Sequence, residues 1–210
     1  MWSTADLADI LEQGLFHANR RFAREQAVYG LDALDELGMH PILVESLRAG
    51  GLGVHREIRY PADRYRRRGS DGERCDLVLT PEGRALASES RKLTLFEPTD
   101  AVDPEDAFWM EVKVVHQFTT EGPNGRYAPQ LMSVVRGDLS KLAKDPAILH
   151  AGLLVVVFAA DEEVAEHDLR IWYERCMDRT LPLAFPSMRM IPITNRLGNG
   201  VCALALGSVR

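Results

Sequence analysis

From Thr4 to about Gln26, apolar residues recur at Leu7, Leu11, Leu15 and Phe22. That spacing lays one apolar stripe along a helix, with Ser3 or Thr4 available as its cap. A second helical pattern runs from about Leu31 to Arg48 and is interrupted near Gly38 to Pro41, where proline suits the first turn of a new helix. Gly50-Gly51 closes it. Val54, Arg56, Ile58 and Tyr60 then alternate with His55, Glu57 and Arg59, which predicts a strand polar on both faces, at an edge or beside a site. Cys75 to Leu79 predicts a second strand stopped by Thr80-Pro81-Glu82-Gly83, residues 84–106 form an insertion, and Phe108 to Val115 is a third strand. Gly122-Pro123-Asn124-Gly125 is a turn before a helix from about Tyr127 to Lys144. The run from His150 to Ala160 is apolar on both parities, as in a central strand covered on each side. A helix from about Glu162 to Asp178 and short strands near 188–193 and 201–206 complete the chain.

These elements predict an α/β fold with a mixed central sheet flanked by helices. At 210 residues one domain is expected, with residues 1–30 as an N-terminal helical extension, 31–160 as the core and 161–210 as a C-terminal helix and strands. The apolar and charged fractions, 46% and 27%, are those of a globular chain folded throughout. The stretch from Ala151 to Ala160 is too short to span a bilayer and no basic region with an apolar run opens the chain. No membrane partner and a cytoplasmic location are therefore expected. Cys75, Cys176 and Cys202 show no paired metal spacing and are expected as buried thiols. His40, His55 and His150 likewise show no metal spacing, and Trp109 and Trp172 fit the core better than a base-stacking platform.

A net charge of −6 argues against polyanion binding over the whole surface. The charge is unevenly spread. Between Arg56 and Arg74 lie seven arginines (56, 59, 64, 66, 67, 68, 74) and four acids (57, 63, 71, 73), a net +3. This loop leads directly into Asp76, and its arginines can contact phosphate.

Along the third strand Glu111 and Lys113 project to one face while Met110, Val112 and Val114 point to the other. Asp76 on the neighbouring strand can converge with Glu111 on one cation. Carboxylate oxygens suit Mg²⁺, with Mn²⁺ as the alternative, and a phosphodiester is the natural partner of such a site. Bound metal polarises the phosphoryl group and acidifies water, while Lys113 orients that water or offsets developing charge. The plain alternative is a solvated strand face carrying a charge pair.

The order helix, strand, strand, strand, helix, strand, with Asp76 on the second strand and Glu111-Val112-Lys113 on the third, resembles the PD-(D/E)xK nuclease superfamily over about Leu31 to Ala160. The resemblance implies a restriction-endonuclease-like core with Asp76, Glu111 and the Val112 carbonyl as metal ligands and Lys113 as the catalytic lysine. It also implies an acid on the first core helix, here Glu36 or Glu45. Glu36 is favoured because it shares a stripe with His40, Leu43 and Leu47. On the helix after the third strand it points to Gln130 and Lys141, with Tyr127 and Asp138 nearby. Two departures stand out: Cys75 replaces the proline, and Asp76 and Glu111 are 35 positions apart (111 − 76).

The implied function is a Mg²⁺-dependent hydrolase of DNA, with DNA ahead of RNA as partner. Arg67, Arg68, Arg74, His116, Gln117, Gln130 and Lys141 are candidate substrate contacts. The rival is a catalytically silent nuclease-fold protein serving nucleic-acid binding or complex assembly. Dimerisation is open, since cutting both strands of a duplex favours a symmetric pair. No nucleophile elbow is present, and Gly50-Gly51-Leu52-Gly53 precedes a strand, unlike a phosphate-binding glycine loop.

Overall fold

The computed structural model describes residues 2–61, 73–87, 100–133 and 135–209. Helix α1 spans Thr4–Arg24, and the Ser3 hydroxyl caps it by accepting from the Asp6 amide. Leu7, Leu11 and Leu15 are buried as the stripe requires, while Phe22 is only partly covered. A short 3₁₀ turn at Leu31–Ala33 precedes helix α2, Glu36–Ala49. Here the expectation from sequence fails. The break falls before Glu36, where the Asp35 side chain accepts from the Gly38 amide at 2.8 Å, and the helix continues through Pro41. Pro41 lies on the exposed face, so its missing N–H removes one helical bond without opening the buried side.

The strands are β1 (Gly53–Arg59), β2 (Arg74–Thr80), β3 (Phe108–His116), β4 (Phe118–Thr119), β5 (Gly122–Pro123), β6 (His150–Ala159), β7 (Ser187–Pro192) and β8 (Val201–Val209). Helices α3 (Tyr127–Ser133), α4 (Val135–Lys144) and α5 (Glu162–Asp178) complete the set. Six strands form one mixed sheet in the order β1-β2-β3-β6-β8-β7. β1, β2 and β3 run antiparallel in sequence, β3 and β6 are parallel across the α3–α4 connection, and β8 is antiparallel to both β6 and β7. Strand β8 is longer than its sequence pattern predicts and lies inside the sheet. The predicted turn at 122–125 also shifts, because Gly122 and Pro123 pair back with Thr119 and Phe118.

Two apolar layers sandwich the sheet. Under α1 and α2 lie Leu77, Leu79, Phe108, Met110, Val112, Leu154, Val156 and Phe158, and α1 is part of this layer rather than an appendage. On the other face Trp109, Val115, Val155 and Val157 pack with Leu131 of α3, Leu139 of α4 and Trp172 of α5. The alternation along β3 thus assigns Glu111 and Lys113 to the face covered by α3, α4 and α5. Cys75, Cys176 and Cys202 are buried and unpaired. Among the described residues no helix is long and apolar enough to cross a membrane.

Candidate functional site

The site forms where the sheet loses its regularity. Pairing of β2 with β3 ends at Leu77–Met110, one residue short of Asp76. On the other side, pairing of β1 with β2 steps from Arg56–Leu77 to Ile58–Cys75, skipping Glu57 and Asp76. Glu57 there takes a φ of 53°, a left-handed conformation uncommon for a residue with a side chain, and Arg74 Nη1 donates to its carbonyl at 3.1 Å. Asp76 is therefore free of both ladders. Its Oδ2 instead accepts from the Val112 amide at 2.8 Å, binding the Asp76 side chain to the centre of the Glu111-Val112-Lys113 triplet.

Glu111 is 3% exposed and its Oε1 accepts a hydrogen bond from the hydroxyl of Tyr60, whose ring stacks on Trp109 with centroids 5.9 Å apart. Burial first, and then the neighbouring Asp76 carboxylate as like charge and hydrogen-bond partner, raise the Glu111 pKa to about 8, against the opposing pull of Tyr60. Burial and the same carboxylates also raise the Cys75 thiol, so it is no nucleophile.

Lys113 Nζ stands 3.4 Å from Glu36 Oε2 and 3.6 Å from Asp138 Oδ2. Burial works against its charge, but Asp138, Glu36, Asp76 and Glu111 together outweigh it and raise its pKa. Lys141 Nζ lies 3.5 Å from Asp138 Oδ1 and 3.8 Å from Glu73 Oε1, and its pKa is raised in the same manner. Burial is the main cause of the raised Glu36 pKa, with Lys113 opposing it. Glu36, Lys113, Val114, Val115, Gln130, Leu131 and Val155 line a cleft at this point.

Several sequence-predicted residues thus come together: Asp76, Glu111, Lys113, Glu36 and Lys141, with Gln130 at the cleft and accepting from Asn124 Nδ2 at 3.1 Å. Glu45 does not join them, and pairs with Arg21 at 3.4 Å on the surface. His116 and Gln117 also lie elsewhere. His116 has the opposite strand parity to Lys113, and its ring stacks on Phe158 in the α1–α2 layer at 4.7 Å. Gln117 Oε1 accepts from the Ala160 amide at 2.8 Å, and Tyr127 donates to Asp168 at 2.8 Å. Arg74 is exposed at the start of β2. Arg64, Arg66, Arg67 and Arg68 fall outside the described residues.

Three participants of the site are not marked as such by the sequence. Tyr60 follows an edge strand and nothing in its neighbours marks it as the partner of Glu111. Asp138 lies beside the stripe of Gln130 and Lys141, yet it holds both lysines. His40 lies with Glu36 and Asp76 in one group whose potential ligand atoms are all within 4.8 Å of one another. This corrects the expectation that His40 shows no metal spacing: it stands one helical turn from Glu36, and the third member, Asp76, comes from a distant strand.

Comparison with family models, curated proteins and solved structures found no match for this chain.

Proposed function

We propose that this protein is a metal-dependent nuclease on a restriction-endonuclease-like core, hydrolysing phosphodiester bonds of DNA. The observation that carries the reading is the meeting of Asp76 and Glu111 at the gap between β2 and β3, with Lys113 within their electrostatic reach. The order α2, β1, β2, β3, α3–α4, β6, with a parallel β3–β6 crossover, supports the same core.

The donor set fits a divalent cation. Glu36, Asp76, Glu111 and Asp138 crowd around two lysines, so the cluster carries surplus negative charge and Glu111 is driven towards its neutral form. Asp76, Glu111 and the Val112 carbonyl are the residues proposed to hold Mg²⁺ or Mn²⁺. Such an ion, when bound, supplies Lewis-acid polarisation of the phosphoryl group and a water of lowered pKa.

The protein's own groups define the remaining roles. Without bound metal, Asp138, Glu36, Asp76 and Glu111 outweigh burial and hold Lys113 protonated, which suits it to act as a fixed cation. Glu36 and Asp138 fix its ammonium at the cleft, where it offsets charge on the phosphoryl oxygens or orients the attacking water. Lys141 adds a second cation on the same side and Gln130 a neutral contact at the rim. His116 and Gln117 are left out of substrate binding by their internal contacts.

The test is incubation of the purified chain with plasmid and linear DNA in Mg²⁺ or Mn²⁺, beside Lys113→Ala and Asp76→Asn. Metal-dependent cleavage lost in both variants is expected. DNA binding without cleavage by the wild type would leave the rival reading, a silent nuclease-fold binder.

A further inference from the structure

His40 is 1% exposed, and neither of its ring nitrogens has a hydrogen-bond partner among the described residues. Leaving a buried polar group unsatisfied is costly, so a side chain in this state is normally matched by something it was built to meet. One of its nitrogens, a Glu36 carboxylate oxygen and an Asp76 carboxylate oxygen all lie within 4.8 Å of one another. Metal–ligand bonds of about 2.0–2.3 Å separate neighbouring ligand atoms by roughly 3–4.5 Å, so small side-chain movements would close this set on one ion. Helix α2 supplies Glu36 and His40 one turn apart on one face, and the released stretch of β2 supplies Asp76.

The geometry points to Glu36, His40 and Asp76 as a transition-metal site of the Mn²⁺ class, adjoining the Asp76–Glu111 pair and sharing Asp76 with it. The imidazole decides the class of ion. Two carboxylates alone suit Mg²⁺ as well as Mn²⁺, whereas a nitrogen ligand favours the first-row transition cations. Glu111 is not a member of this group, so the two donor sets overlap at Asp76 and differ in Glu36 and His40 against Glu111. The inference deepens that reading by naming the preferred cation, and rests on it only for the use to which the ion is put.

Metal binding is measured apart from activity. Mn²⁺ is titrated into the full chain, and pulsed electron paramagnetic resonance is recorded for a ¹⁴N coupling from a bound imidazole. Wild type is expected to show the coupling and to bind Mn²⁺ more tightly than Mg²⁺. His40→Asn and Glu36→Gln should each weaken Mn²⁺ by roughly tenfold or more, since losing even an outer partner of a ligand costs about 10- to 100-fold. His40→Asn should abolish the nitrogen coupling and Glu111→Gln should retain it. Circular dichroism in chelator confirms that each variant is folded. Glu36→Gln, at a half-exposed position, carries the affinity test if His40→Asn does not fold. No ¹⁴N coupling in the wild type, or Mn²⁺ affinity unchanged in both variants, overturns the inference. The coupling without DNA cleavage would sink the nuclease reading and leave the metal site standing. Cleavage without the coupling would do the reverse.

Discussion

Glu111→Gln should make the metal-free protein more stable, an unusual outcome for a change at a buried position. The carboxylate is buried beside Asp76, and its pKa is raised from an ordinary 4.5 to about 8. A group whose folded pKa is raised favours folding while it is protonated in both states, and that support is lost as pH climbs from 4.5 through about 8. Above pH 8 the shift is worth at most about 5 kcal/mol against folding, at 1.36 kcal/mol for each pH unit. Glutamine keeps the shape and can still accept from Tyr60, but burying its amide returns about 1–3 kcal/mol of that gain. A net stabilisation of roughly 2–3 kcal/mol at pH 8 follows, or about 5–10 °C in Tm for a chain of this size.

The assay is urea unfolding followed by tryptophan fluorescence, in EDTA, from pH 5 to 9. The variant's advantage should grow as pH rises, and close or reverse by about pH 5, where the cost of ionising the buried carboxyl falls below that of the buried amide. Mg²⁺ should then stabilise the wild type and leave the variant little changed. If Glu111→Gln is no more stable than wild type at pH 8 in EDTA, the carboxylate is a structural anchor and the account of the site as an unrelieved acidic cluster is wrong.

Gly14→Ala places a methyl group where α1 crosses α2, in clash with the Oγ and Cβ of Ser46. A loss of about 1–3 kcal/mol in chemical denaturation is expected despite alanine's better helix propensity, with recovery in Gly14→Ala/Ser46→Gly. Tyr60→Phe removes the donor that pulls the Glu111 pKa down, so the pH at which divalent binding is half-maximal should rise; calorimetric titration showing a fall would contradict this. His116 is held neutral mainly by burial, its pKa below the usual 6.5. Its contribution to stability is present above pH 6.5 and lost as pH falls through the lowered folded value, so His116→Gln should flatten the acid limb of the stability profile.

The hydrophobic pattern by itself determined the element order, the central place of β6 and the assignment of Glu111 and Lys113 to one face of β3, because burial on a period of two or 3.6 residues is a local constraint. It placed Asp76 on its strand and favoured Glu36 over Glu45 from the stripe shared with His40, Leu43 and Leu47. It misjudged the helix around Pro41, since an exposed proline breaks one bond that packing of Leu43 and Leu47 outweighs. It offered His116 and Gln117 by proximity in sequence, where strand alternation sends His116 to the opposite layer. What only the tertiary structure decided is the company each charge keeps. Tyr60 meeting Glu111, Asp138 bridging two lysines and His40 facing Asp76 join elements far apart in the chain. No local periodicity encodes such contacts, because they arise from how α2, α4 and three strands pack around the gap in the ladder at Asp76.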